Sequence, residues 1–371
     1  MSRILTGFLC LALASSAVHA QTRELSASGV ALGLTTPTLA QTLSFTPVAT
    51  IPGPADLVRA QGQLVFVGVD KTLTIYDVST PASPKKLSAY EFPGEMWGFR
   101  LVGERAFVAV GHSGLGILDV SKPVTPTLVS LFKTPGQAKN VSVTGNRAVV
   151  ANHNSGIDFI DITDAERPVL IGSTDLDGYA RDVATHGSMA VAVDNPTGVY
   201  VFDVAKVTKS AKDPIASVQS ATAPQLLEIA EVGPSRTPLA LLGGNEQYDT
   251  NRTQTLPFGS RPRSGSLQVY DLTNPSAPEF KRAYPTAGGG RKISVKGSLV
   301  YIADGADGVR VLDFSDPANA KQVAAYKTPK AARDVATTDS LVVVVIGGGG
   351  VRAGAPPDEH GDVLVLRQHT R

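Results

Sequence analysis

The sequence predicts an all-β fold: a seven-bladed β-propeller of four-stranded blades, closed by an N-terminal strand that completes the last blade. Three observations carry this: a repeat near 42 residues, strand-like alternation inside each repeat, and chain ends that complement each other.

The repeat is read from one segment. Residues 73–77 (LTIYD) recur as 115–119 (LGILD), 157–161 (IDFID), 199–203 (VYVFD), 267–271 (LQVYD) and 309–313 (VRVLD), and weakly as 363–367 (VLVLR). The aspartates at 77, 119, 161 and 203 stand 42 residues apart, as do those at 271 and 313. The two longer gaps place insertions near 244–264 and 347–361.

Within a repeat, β-branched runs such as 190–193 (AVAV) and 199–202 (VYVF) sit between Gly, Asn, Asp and Pro turns. No long window has a helical period. Each repeat reads as four strands. The first is typified by 182–185 (DVAT), the second by 189–193 (MAVAV) and the third by the aspartate segment; the fourth follows a proline turn such as 81–84 (PASP). A parallel β-helix is the rival, but its coils are usually shorter than this repeat.

The ends supply the closure. The last repeat stops at its third strand, 363–366, while 46–53 resembles the fourth-strand segments 128–131 and 322–325. An N-terminal strand therefore fills the vacant place in the seventh blade and removes the free edge.

Ahead of the repeats, residues 1–20 read as a signal peptide. Arg3 is the basic start, 4–13 form a short apolar run, and Val18, His19 and Ala20 form the cleavage region. Cleavage near Ala20 implies a secreted, periplasmic or cell-surface protein, with 21–44 as a flexible leader and 45–371 as one propeller domain. It also removes Arg3 and Cys10, leaving 33 cationic and 33 anionic residues and no thiol. Thiol nucleophiles, cysteine–zinc sites and disulfides are thereby excluded. The balanced charge argues against nucleic acid as a partner. No further apolar run is long enough to span a bilayer, so the mature chain is expected to lack a transmembrane span and to act as a monomer.

The blades resemble LVIVD repeats. The likeness rests on 114–126 (GLGILDVSKPVTP), 308–317 (GVRVLDFSDP), 291–304 (RKISVKGSLVYIAD) and 180–183 (ARDV), and covers roughly 45–367. It implies an exported or surface β-propeller and brings no shared catalytic set. Residues 225–242 depart most from the pattern.

Candidate functional residues follow from the repeat. The third-strand aspartates are expected to accept turn amides. Stepping 21 residues back from them reaches Asp56, Gly98, Asn140, Asp182 and Lys292 on the channel-lining first strands, and pattern matching adds Glu228 and Asp334. Asp56, Asn140, Asp182, Glu228 and Asp334 together offer oxygen ligands for Ca²⁺, or else form a structural ring charge-balanced by Lys139, Arg181, Arg291 and Arg333. No other cofactor is expected. Both insertions fall in connections between second and third strands, which open on the face where first strands begin. Tyr248, Arg252, Phe258, Arg261 and Arg263 of the first insertion, with Trp97, are candidate contacts for a ligand there. His112, His153 and His360 lie in the same connections without metal-motif spacing.

The reading that results is a non-enzymatic scaffold for a protein, peptide or surface polymer. The alternatives are a hydrolase or lyase with a carboxylate or metal centre at the channel mouth, and a structural cell-envelope protein.

Overall fold

Alternating β-branched strands joined by tight turns fold, in the computed structural model, into seven antiparallel sheets of four strands each. It describes residues 43–195, 198–209, 212–219, 223–233, 235–245, 265–286, 290–348 and 360–370. Contacts divide the chain into Met1–Ala40 and Gln41–Arg371, and the propeller belongs to the second unit.

Blades one to six occupy 57–91, 98–132, 140–174, 179–219, 223–286 and 292–326, each with its strands in chain order. Blade seven combines Ala332–Thr337, Leu341–Gly347 and Gly361–Thr370 with the N-terminal strand Leu43–Ala55 as its outer member. That strand pairs antiparallel with Gly361–Thr370, from Leu43 opposite Thr370 to Ala55 opposite Gly361. The expected closure is therefore present, with its strand beginning at Leu43. First strands of successive blades touch in an unbroken cycle around a central channel.

Seven apolar clusters fill the seven spaces between blades. Leu57, Phe66, Ile75, Phe99 and Val108 belong to the one between blades one and two. Ile51, Val65, Val67, Val343 and Val365 belong to the one between blades seven and one. Second strands are consequently buried on both faces, as in Met189–Asn195, and their sequences run nearly continuously apolar.

The turns are built by the repeated aspartates. Asp77, Asp119, Asp161, Asp271 and Asp313 each accept the amide two residues on, at 2.7 to 2.8 Å, and Asp203 does so at 3.2 Å. Backbone and side-chain bonds from Ser79 hold the Asp77 carboxyl below its usual range. The glycine before the third strand is equally constrained. At Gly114 φ is 91°, and a Cβ there would lie 2.2 Å from the Phe132 carbonyl oxygen of the neighbouring strand.

Ile51 carries the closing strand into the core between blades seven and one, with only 7% of its surface exposed. Ile51→Ala is expected to cost about 2–5 kcal/mol in urea unfolding. Phe280→Ala, on an outer strand and half exposed, should change stability by less than about 0.5 kcal/mol. Equal effects at the two positions would show that closure does not depend on this contact.

Candidate functional site

The channel is lined by successive layers of residues from the seven first strands. Asn140, Asp182 and Asp334 share one layer, since each accepts the amide of the following residue at 2.8 Å. Asp182 and Asp334 also reach forward to the next blade, accepting Leu227 N at 2.9 Å and Val58 N at 3.1 Å. Gly98 and Lys292 occupy the same layer by register.

Asp56 and Glu228 do not, which corrects the layer inferred from spacing. Blade one closes its second and third strands with a two-residue turn, Val69 opposite Thr72, where Asp70 has φ 45°. The connection is one residue shorter than in blade two, so Leu57 takes the layer position and Asp56 precedes it. In blade five a bulge between Pro224 and Leu226 puts Leu226 in the layer and Glu228 two residues further along.

The layer at the channel mouth lies one residue earlier. Trp97, Lys139 and Arg291 donate their amides to Ala109 O, Ala151 O and Ala303 O at 3.0, 2.7 and 2.8 Å. Asp56 does the same to Gly68 O at 3.0 Å. In blades four, five and seven the bulge residues Arg181, Gln225 and Arg333 stand at this position.

Each candidate metal ligand has a protein partner. Asp182 accepts the Asn140 side-chain amide and lies 3.5 Å from Lys292 Nζ. Asp334 accepts Arg59 Nη1 at 3.0 Å. Glu228 takes both bonds from Arg100 Nη1, at 3.0 and 3.3 Å, spanning the channel from blade two to blade five. Burial raises the Asp56 carboxyl above its usual range, although His360, 2.8 Å away through Nδ1, pulls it down. The other imidazole nitrogen lies 3.6 Å from Asp70, so the two carboxylates flank the ring and do not converge on one point. Among the described residues no group of three His, Cys, Asp or Glu is arranged to hold a metal ion.

Two spaces result. The lower is a cavity of about 670 Å³ whose walls include Arg59, Arg100, His186, Glu228, Glu231 and Arg236. Charges there are cross-paired: Glu231 contacts His186 at 3.2 Å and Arg236 at 2.5 Å. The upper space, at the mouth, has a volume of about 250 Å³ and is bounded by Trp97, Lys139, Arg181, Asp182, Gln225 and Lys292, with Asn140 at its base. Lys139 Nζ lies over the Trp97 ring, 3.1 Å from its centroid. Burial, followed by repulsion from Arg181, lowers the Lys139 ammonium to about 8, with Glu95 opposing. Burial, then Lys139 and Arg181, also lower His153, which stacks on Tyr179.

Tyr248, Arg252, Phe258, Arg261 and Arg263 lie outside the described residues, whereas Trp97 is half-buried at the mouth. The Arg59 and Arg100 pairings were not anticipated. Their equivalent places, two residues after Leu57 and Gly98, were a usable signal in the repeat.

The architecture and charged channel define a repeat-built propeller whose blades present one common mouth. In four places the chain matches the LVIVD repeat model, at residues 52–91, 93–134, 135–175 and 287–328, which correspond to blades one, two, three and six. No curated protein matches the chain. Among solved structures, the β-propeller domain of Myceliophteria thermophila Cps50 (Swd1) is similar at 12% identity and TM-score 0.63, covering 87% of this chain and 99% of that one. The computationally designed Ika8 protein is similar at 9% identity and TM-score 0.57, covering 86% and 99%. At such identities the likeness is one of fold.

Asp182→Ala strips acceptors from Leu227 N and the Asn140 amide, and should cost roughly 2–4 kcal/mol in urea unfolding. A change within error would remove its bridging role. Lys139 gives the opposite sign. In the folded state its proton leaves at about 8, against an ordinary value of 10.5. Between those values the unfolded chain holds more protons, so stability should rise with pH across that window. Lys139→Met should be more stable at neutral pH and lack that rise, which melting temperatures measured across the window will check.

Proposed function

We propose that the protein is an exported, non-enzymatic binding scaffold that engages a protein, peptide or surface polymer through the face where its first strands begin. One observation carries this reading: the mouth residues are hydrogen-bonded to the ends of the second strands. Trp97, Lys139 and Arg291 reach Ala109, Ala151 and Ala303 in this way. The second-strand ends from which connections leave therefore surround the channel mouth. Both long insertions start from this face, between Asn245 and Gly265 and between Gly347 and Gly361. A rigid ring that fixes the ends of variable connections around one opening is a general design for recognition.

The partners held by Asp56, Asp182, Glu228 and Asp334 favour binding over acid–base turnover, because each carboxylate is engaged by another blade or by His360. Among the described residues no helix is long and apolar enough to cross a membrane. Export rests on the signal-like segment 1–20.

The insertion after Asn245 supplies the test through Phe258 and Arg261. Thermal unfolding of residues 21–371 is to be followed with a panel of surface glycans and peptides. A ligand at about 100 times its Kd adds about 2.7 kcal/mol to the folded state. Phe258→Ala combined with Arg261→Ala should abolish the rise caused by the responding panel member while leaving the unliganded melting temperature unchanged. An identical response in both proteins would exclude this insertion from the binding face.

A further inference from the structure

The upper cavity has unbalanced charge. Lys139, Arg181 and Lys292 contribute three cations to its wall, and Asp182 contributes one carboxylate. Asp182 is already saturated by Val183 N, Leu227 N and the Asn140 amide, with Lys292 at 3.5 Å. Among the described residues Lys139 and Arg181 form no ion pair. They come from adjacent blades at the same layer, and Lys139 is 8% exposed. The Trp97 face stabilises the Lys139 ammonium only in part. Arg181 is exposed and screened by water, so the cost of a missing counter-charge falls on buried Lys139, and an entering anion offsets it.

The hydrogen-bonding inventory agrees in sign. Lys139 and Arg181 can only donate, and Gln225 adds an amide. A volume of about 250 Å³ accommodates a compact group and is too small for an extended sugar chain.

We propose that this cavity binds a single oxyanion group, a carboxylate or a phosphate, through Lys139 and Arg181, with Lys292 and Gln225 completing its surroundings. The proposal deepens the scaffold reading and rests on the same face. It makes the channel mouth an anchor for one acidic group, carried either by a small molecule or by a side chain of a bound peptide.

Isothermal titration of the propeller with succinate, inorganic phosphate and a glutamate-bearing peptide tests this, with the glutamine version of the peptide as control. Lys139→Met and Arg181→Met should each weaken binding by about tenfold or more, the loss of a charge-assisted bond. Lys296→Met is the control variant, since Lys296 bonds to the Thr338 carbonyl and does not line the cavity. Glu95, His153, Arg181, Asp182 and Lys292 surround Lys139, so the variant is needed to isolate its titration. Raising the pH from about 7 to about 9 should weaken wild-type binding and leave Lys139→Met unaffected by comparison.

Binding of succinate or phosphate alone assigns a free ligand. Binding only of the glutamate peptide assigns a partner's side chain. The proposal is overturned if no oxyanion, free or peptide-borne, binds at millimolar concentration, or if both variants bind as tightly as wild type. The insertion test varies Phe258 and Arg261 and this one varies Lys139 and Arg181, so failure of either is separately readable.

Discussion

Each blade is apolar on both faces, and the rest of the structure depends on satisfying that constraint. In blade one, Val65 and Val67 pack toward blade seven while Phe66, between them in sequence, packs toward blade two. Exposing either side would return several such side chains to water, at roughly 1.5–3 kcal/mol each. No blade can therefore be terminal, and the chain must close on itself. The strand Leu43–Ala55 enters two interfaces at once: Leu43 joins the cluster between blades six and seven, and Ile51 and Ala55 join the one between blades seven and one.

The same closure crowds seven backbones around the axis, where polar groups take over the bridging. Asp334 holds the first strand of blade one and Asp182 that of blade five, each through an amide of the adjoining blade. Lower down, Arg100 and Glu228 tie together strands that are not neighbours in the ring. These groups are buried or half-buried and satisfied locally, as interior charges need to be. Lys139 and Arg181 depart from that pattern at the mouth. Departures from otherwise consistent local rules are where recognition is expected to reside.

The repeat made the ring legible because the signal was redundant: six aspartates with the same turn chemistry and two chain ends that fit together. Single-residue register was less legible. Asp56 looked equivalent to Gly98 because the shortened turn at Asp70 is invisible to a fixed spacing. Glu228 was misplaced by a bulge, and bulges also occur in blades four and seven. The three blades with a bulge between first and second strands are the ones outside the LVIVD match. Cross-blade partners were hidden for another reason. Asp56 and His360 are 304 residues apart and meet only after closure, while Lys139 meets Trp97 through the stacking of adjacent blades.

The seventh blade sets how the ring responds to force. Its two outer strands are antiparallel, with Leu43 directly opposite Thr370. A pull drawing those two ends apart loads the first pair of rungs and reaches the next only after these yield. The seam peels in sequence under such a load instead of sharing it across its length. A propeller tethered by one end thus keeps its closure, and one stretched between both ends has its weakest line where the circle was joined.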